Sequence, residues 1–315
     1  MAEFEMTVAG RRSVADGVVE LVLRARPGEA LPGWTAGAHI DLRLDPATVR
    51  QYSLCGPADD PSTYRIAVLR EETGRGGSRR VHDEVHPGQT VVVGGPRNNF
   101  EFEKAPAYLF IAGGIGITPL LPMIEQAGRE GADWKLAYGG RSRSTMAYLD
   151  ELRSRESAPG RVQAVPFDEC GLLDLPALIA ELPPEALIYC CGPEPLLAAV
   201  ELATAGLAPG TLHVERFSAR EIDAGEDLPF TVELAASGRT LEVPAERSLL
   251  DVLLEHGVDV LTSCEEGTCG TCETPVLAGE PDHRDSILTA DEQAANDRML
   301  VCVSRCRSAR LVLDL

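Results

Sequence analysis

No lysine occurs between Glu226 and Leu315, where 18 acidic residues stand against only 7 arginines. The whole 315-residue chain carries a net charge of −20. Phosphate backbones and anionic lipid surfaces attract Lys and Arg, so this balance argues against nucleic acid and membrane partners. The plain account of the acidic tail is a solvated surface; the sharper one is a docking face for a basic protein. The opening residues, MAEFEMTVAG, lack the long apolar core of a signal peptide, which gives the expectation of a cytoplasmic protein. Its nine cysteines are then expected as reduced thiols or metal ligands. One charge-free stretch, 105–124, is long enough to span a bilayer, but Pro106, Pro119, Pro122 and the run GGIG break it into strand, loop and helix. There is no repeat and no low-complexity segment. The length suggests two or three domains.

The first ~100 residues show few helical signals. The β-rich runs 18–25, 38–44, 50–54, 64–70 and 89–96, separated by Pro, Gly and Asp, predict a small antiparallel barrel. From Ala105 the rhythm alternates. AYLFIAGG, WKLAYGG, RVQAVPF, ALIYCCGP and TLHVERF read as strands, with helices between them, so a parallel α/β sheet is expected. Thr118 is placed at a helix N-cap with Pro119 at the first helical position. The helical runs include TMAYLDELRSR, LPALIAEL and EPLLAAVELATAG. The polar segment 218–229 reads as a linker. A hairpin follows around AASGR, then a helix with Ser248 and Asp251 in a capping relation and Gly257 as its stop. The predicted domains are 1–104, 105–224 and 225–315.

Three thiols fall within nine residues, in CEEGTCGTC, and Cys302 lies thirty residues further on. The spacing Cys264-x4-Cys269-x2-Cys272 with a distant Cys302 matches the plant-type 2Fe–2S ligand pattern. A tight loop brings three thiolates together, and Gly267 and Gly270 let its backbone curl so that N–H groups point at the sulfurs. A zinc site is the alternative, but a second CxxC-like pair or ligating histidines, which such sites usually have, are missing. Cys306 reads as a spare thiol and Cys190 as a buried structural one; Cys170 has no assigned role.

The segments CEEGTCGTCETPVLAGEPDHRDSIL and MLVCVSR resemble the ferredoxin domain of the phthalate dioxygenase reductase and vanillate O-demethylase reductase family. Upstream motifs agree with it in order, so the resemblance covers essentially the whole chain. It implies a multidomain β + α/β + α+β protein: a ferredoxin-reductase-like flavin β-barrel, a parallel α/β nucleotide-binding domain, and a C-terminal β-grasp plant-type ferredoxin domain. RQYSLCG resembles the family's flavin signature. Arg50 then pairs with a phosphate, Gln51 lines the site, Tyr52 packs on the isoalloxazine, and Ser53 sits near flavin N5. In GRGGS, the residues Gly76, Gly77 and Ser78 resemble the flavin-phosphate loop. The family implies FMN, with FAD left open.

AGGIGITP is not the G-x-G-x-x-G fingerprint, because Pro119 replaces the last glycine. It fits the ferredoxin-reductase type of nicotinamide site, with Gly113, Gly114 and Gly116 allowing close backbone approach and Thr118 near the ring. Arg141, Ser142 and Arg143 are candidates for the dinucleotide phosphates or ribose. A basic pair there suggests NADPH, but the family's similar runs favour NADH. Cys191, Gly192 and Pro193 resemble the motif bordering the nicotinamide, and Glu215 and Phe217 are placed beside the flavin. The expected reacting positions are Ser53, Thr118 and Cys191.

These parts serve one electrical task. A nicotinamide delivers two electrons as a hydride, a cluster accepts one at a time, and a flavin does both. The expected protein is a monomeric NADH-dependent reductase component that serves a Rieske-type terminal oxygenase. The alternatives are a haem-thiolate monooxygenase as acceptor, or a flavin reductase carrying a structural zinc module.

Overall fold

The computed structural model describes residues 3–45, 48–156, 160–220 and 226–315. The chain packs as two units, Met1–Glu215 and Arg216–Leu315. The expected linker at 218–229 falls partly on 221–225, which lie outside the described residues.

The first unit opens with a six-stranded antiparallel sheet. Its strands are β1 (Glu3–Ala15), β2 (Val18–Arg24), β3 (His39–Asp45), β4 (Thr48–Ser53), β5 (Thr63–Leu69) and β6 (Thr90–Arg97), with the helix α1 (Gly77–Glu84) before β6. The order is β4-β3-β6-β1-β2-β5. The two outer strands meet through a Leu54–Ile66 bridge and a Cys55 N–H donated to Arg65 O at 2.9 Å. The sheet thereby closes into the expected barrel and hides its edges. Met6, Leu21, Leu23, Ile40, Leu42 and Ile66 fill it. Strand β1 is not legible in the sequence. Bulges between Val8 and Gly10 and between Ser13 and Ala15 interrupt its pairing with β2, so alternation is lost while the pairing holds.

A parallel sheet follows, built from β7 (Ala107–Gly113), β8 (Asp133–Gly140), β9 (Val162–Pro166), β10 (Leu187–Cys191) and β11 (Leu212–Glu215). Five helices belong to it: α2 (Ile117–Glu130), α3 (Leu149–Ser154), α4 (Phe167–Cys170), α5 (Leu175–Ala180) and α6 (Glu194–Thr204). Every residue of β7 is buried, as expected of a central strand in a parallel sheet. The strand order is β11-β10-β7-β8-β9.

Two local expectations are corrected here. A single 3-10 turn, Gly114–Gly116, runs straight into α2, so Gly116 is the N-cap and Thr118 and Pro119 are the second and third helical residues. Pro119 is tolerated there because the first four helical N–H groups have no intrahelical partner. The run 145–155 is not one helix. Tyr148 takes a left-handed φ of 62° and separates a 3-10 turn at Arg143–Thr145 from α3.

Barrel and parallel sheet share one apolar core, in which Val18, Cys55 and Ala67 pack with Ile117, Leu121 and Tyr148. Beside it lies a polar joint. The buried Glu20 carboxylate accepts from Tyr148 Oη at 3.0 Å and from Arg12 Nε at 2.6 Å, and Arg65 pairs with Glu151 at 3.2 Å. Burying Glu20 is tolerable because each of its oxygens has a donor.

The second unit has its own core, including Val232, Leu249, Leu253, Met299 and Leu311. Its elements are β12 (Phe230–Leu234), β13 (Arg239–Val243), α7 (Leu249–Glu255), β14 (Glu273–Ala278), β15 (Pro281–Asp282), α8 (Ala290–Ala295), β16 (Arg298–Leu300), β17 (Arg305–Cys306) and β18 (Arg310–Leu313). β12 and β13 form the expected hairpin, and β18 lies parallel to β12 in the order β13-β12-β18-β14-β16. The Ser248 hydroxyl caps α7 by accepting the Asp251 N–H at 3.0 Å. This is the β-grasp arrangement. Buried Arg305 locks it by donating to Arg247 O, Pro244 O and Leu228 O at 2.6, 3.0 and 3.1 Å.

Candidate flavin, nicotinamide and cluster sites

The parallel sheet reverses direction of winding between β7 and β10, and ligands of such folds bind outside the strand ends at that point. Two expected motifs sit there. The Gly113–Gly116 turn leaves β7, and Cys191-Gly192-Pro193 leaves β10. They touch closely: a Cβ on Gly116 would lie 2.2 Å from Cys191 O. Only glycine permits that approach. Thr118 is buried and donates its hydroxyl to Ile115 O at 2.9 Å, so it braces the turn.

A second group meets the same place from the barrel. Ser53, the buried end of β4, hydrogen-bonds the Glu215 carboxylate at the end of β11. Glu215 in turn lies 4.0 Å from Cys191 Sγ. Burial pushes the Glu215 carboxyl up to about 8, against the opposing pull of Ser53. Burial first, and the Glu215 charge second, push the Cys191 thiol well above its usual range. Cys191 is therefore a neutral, polarisable wall rather than a nucleophile. Ser53 and Cys191 thus join through Glu215, while Gly116 lies directly on Cys191.

The flavin-phosphate candidates also converge. Arg50 reaches the glycine loop by donating to Arg75 O at 3.2 Å, and its side chain lies against the Cα of Gly77. Gly76 is the N-cap of α1, so the first N–H groups of that helix follow it. Ser78 Oγ accepts the Glu71 N–H at 3.0 Å, which fixes its position while leaving its O–H free to donate. Gln51 donates to Asp41 at 2.8 Å, and Tyr52 is half-buried with its phenol pushed up by burial. Arg141 and Arg143 are exposed beyond β8, with Ser142 N–H held by Thr145 Oγ1 at 3.1 Å. Phe217 falls in the second unit and is 43% exposed.

In that second unit Cys264, Cys269, Cys272 and Cys302 are all buried. Their thiols are in mutual contact: Cys264 with Cys269 and Cys302, and Cys302 with Cys272. Hydrogen bonds from Cys269 and Cys302 push the Cys264 thiol down. The N–H groups of Glu266 and Thr268 point at Cys264 Sγ at 3.3 and 3.4 Å, and the Cys264 N–H points at Cys269 Sγ at 3.5 Å. Gly267 has φ +69°, and a Cβ there would sit 2.7 Å from Val303. Three thiols of the loop, its inward N–H groups and Cys302 from beyond β16 thus form a cradle, which fits a cluster whose negative charge grows on reduction. Glu265 is exposed and Glu266 half-buried.

Sequence reading missed the Glu20–Arg65–Glu151 joint and Glu169, which pairs with Arg143 at 2.8 Å. Both link residues far apart in the chain, and no local pattern marks them.

A hydride-to-electron converter is what these sites define: an NADH-dependent iron–sulfur flavoprotein oxidoreductase. Residues 110–201 match the oxidoreductase NAD-binding domain family, and 232–307 match the 2Fe-2S iron-sulfur cluster binding domain family. The chain is 46% identical over 303 residues to the phenoxybenzoate dioxygenase subunit beta of Ectopseudomonas oleovorans, covering 96% of this chain and 94% of that one. The solved structure of phthalate dioxygenase reductase, described as modular for electron transfer from pyridine nucleotides to 2Fe–2S, aligns with a TM-score of 0.72 at 38% identity, over 100% of this chain and 98% of that one. An intact type IV self-sufficient cytochrome P450 monooxygenase aligns with a TM-score of 0.92 at 44% identity over 99% of this chain, which spans 41% of that protein's length. The chain belongs to the phthalate dioxygenase reductase family, the reductase components of multicomponent oxygenases. Its cofactors are FMN, a 2Fe–2S cluster and NADH.

Proposed function

We propose that this reductase takes its electrons from NADH at the Gly113–Cys191 switch point and hands them singly to a Rieske-type oxygenase. The observation that carries the reading is the junction of Ser53, Glu215 and Cys191, where the barrel end and the nucleotide turn come together. When bound, FMN would supply two-electron acceptance and the 2Fe–2S cluster one-electron exit. The chain's residues do the positioning. Arg50 and the α1 N-terminus hold the flavin phosphate, and Tyr52 and Ser53 set the ring. Gly113, Gly114, Gly116 and Thr118 admit the nicotinamide, Cys191, Gly192 and Pro193 border it, and Arg141, Ser142 and Arg143 take the adenosine half. Cys264, Cys269, Cys272 and Cys302 hold the cluster. A protonated Glu215 offers a hydrogen bond beside the reacting edge without adding charge there.

In this reading three domains, 1–104, 105–224 and 225–315, form a cytoplasmic monomer. Among the described residues no helix is long and apolar enough to cross a membrane. The acidic second unit, with Glu265 beside the cluster, favours a basic acceptor face.

A haem-thiolate acceptor is the second reading, favoured by the relation to the self-sufficient monooxygenase. Purified holoprotein should be red-brown and bleach with NADH, and it should reduce a purified Rieske oxygenase faster than a haem-thiolate one. The reverse order of rates selects the second reading. Zinc without labile sulfide rejects both.

A further inference from the structure

Arg143 Nε lies 2.9 Å from both carboxylate oxygens of Glu169, and Arg143 Nη2 lies 2.8 Å from one of them. The two residues come from different strand ends, Arg143 after β8 and Glu169 after β9. The loops are tied by the Asp168 N–H, donated to Arg141 O at 3.2 Å, and the β8 loop is anchored to the barrel by the Asp16 N–H, donated to Ser144 O at 2.8 Å. Both charged side chains remain 46% exposed, so the pair closes over solvent rather than core.

Its place gives it a task. β8 is the neighbour of β7 on the side away from the switch point. In dinucleotide sheets the end of that neighbouring strand meets the adenosine ribose. A carboxylate there accepts from the 2′-hydroxyl of NADH, whereas an arginine accommodates the 2′-phosphate of NADPH. This chain has both, joined. Phe167, 59% exposed at the same sheet end, offers an apolar face of the kind an adenine ring covers.

We propose that Glu169 is the residue that makes this reductase select NADH over NADPH. Its carboxylate occupies the Arg143 guanidinium, accepts the ribose 2′-hydroxyl, and repels a 2′-phosphate that competes for the same arginine. The basic run at 141–143 is thereby reversed in meaning: a positive signal in sequence is a neutralised one in the fold. The inference rests on the assignment of the adenosine half to Arg141–Arg143.

The test uses the full-length holoprotein and two probes, ADP and adenosine 2′,5′-bisphosphate, measured by calorimetry and as competitors of NADH. Glu169→Gln should bind the bisphosphate on the order of tenfold more tightly than the parent does, and its kcat/KM ratio of NADPH to NADH should rise by a similar factor. Arg143→Gln added to Glu169→Gln should cancel the gain, and Glu169→Asp, which keeps the charge, should not show it. Unchanged bisphosphate affinity in a Glu169→Gln protein that still binds ADP overturns the role of Glu169 alone. Failure of ADP to compete with NADH in the parent overturns the adenosine placement as well.

Discussion

Cys191 and Glu215 pair directly across two neighbouring parallel strands, with the thiol sulfur 4.0 Å from the carboxylate. Burial first and the neighbouring Glu215 second hold the Cys191 thiol above its usual range, burial raises Glu215, and Ser53 joins the pair from the barrel.

Glu215 makes stability fall as pH rises. Its ordinary value of 4.5 is raised to about 8 in the fold. Below 4.5 folded and unfolded chains are both protonated. Between 4.5 and about 8 the unfolded chain releases a proton that the folded one keeps, so its stabilising contribution is lost as pH rises through that window. The holoprotein's thermal midpoint should therefore decline across it, and Glu215→Gln should flatten the slope. An identical slope in the variant would show that other groups set it.

Gly116→Ala should weaken nicotinamide binding and stability together. The added Cβ would meet Cys191 O at 2.2 Å, so the β7 and β10 loops must part. Overpacking of this kind costs about 1–3 kcal/mol. A higher KM for NADH and an earlier denaturant midpoint are expected from steady-state kinetics and unfolding curves.

Cys302→Ser should strip the cluster and spare the flavin route. Labile sulfide and the cluster's absorbance shoulder should be absent, while NADH still drives reduction of a dye that draws on the flavin. Cytochrome c reduction should collapse. Its survival at the parent rate would mean that electrons leave without the cluster.

Arg305→Met should destabilise the second unit by about 3 kcal/mol or more, because charged hydrogen bonds to three backbone carbonyls disappear. Denaturant unfolding followed at the cluster absorbance should shift, and the flavin signal should unfold where it did before. A shift of both signals would contradict the separate cores.

Much of this molecule is legible in its sequence because its signals are local. The Cys264–Cys272 spacing, the β7 strand with its glycine turn, and the Ser248 cap each lie within a dozen residues, where chain geometry and side-chain chemistry act together. What escapes is set by distance along the chain. Strand β1 is held by partners on both sides despite its bulges. Glu169 gains meaning only when the β9 end comes beside Arg143. Thr118 misses its expected cap position by two residues because the turn before it is itself helical.

Among the described residues, the cluster loop draws on a core that shares no residue with the barrel or the nucleotide sheet. Oxidative loss of iron and sulfide is then a local injury. A cell holding such damaged molecules would keep a folded NADH oxidase-like flavoprotein, disconnected from its oxygenase and able to spend reducing power on whatever small acceptor reaches the flavin.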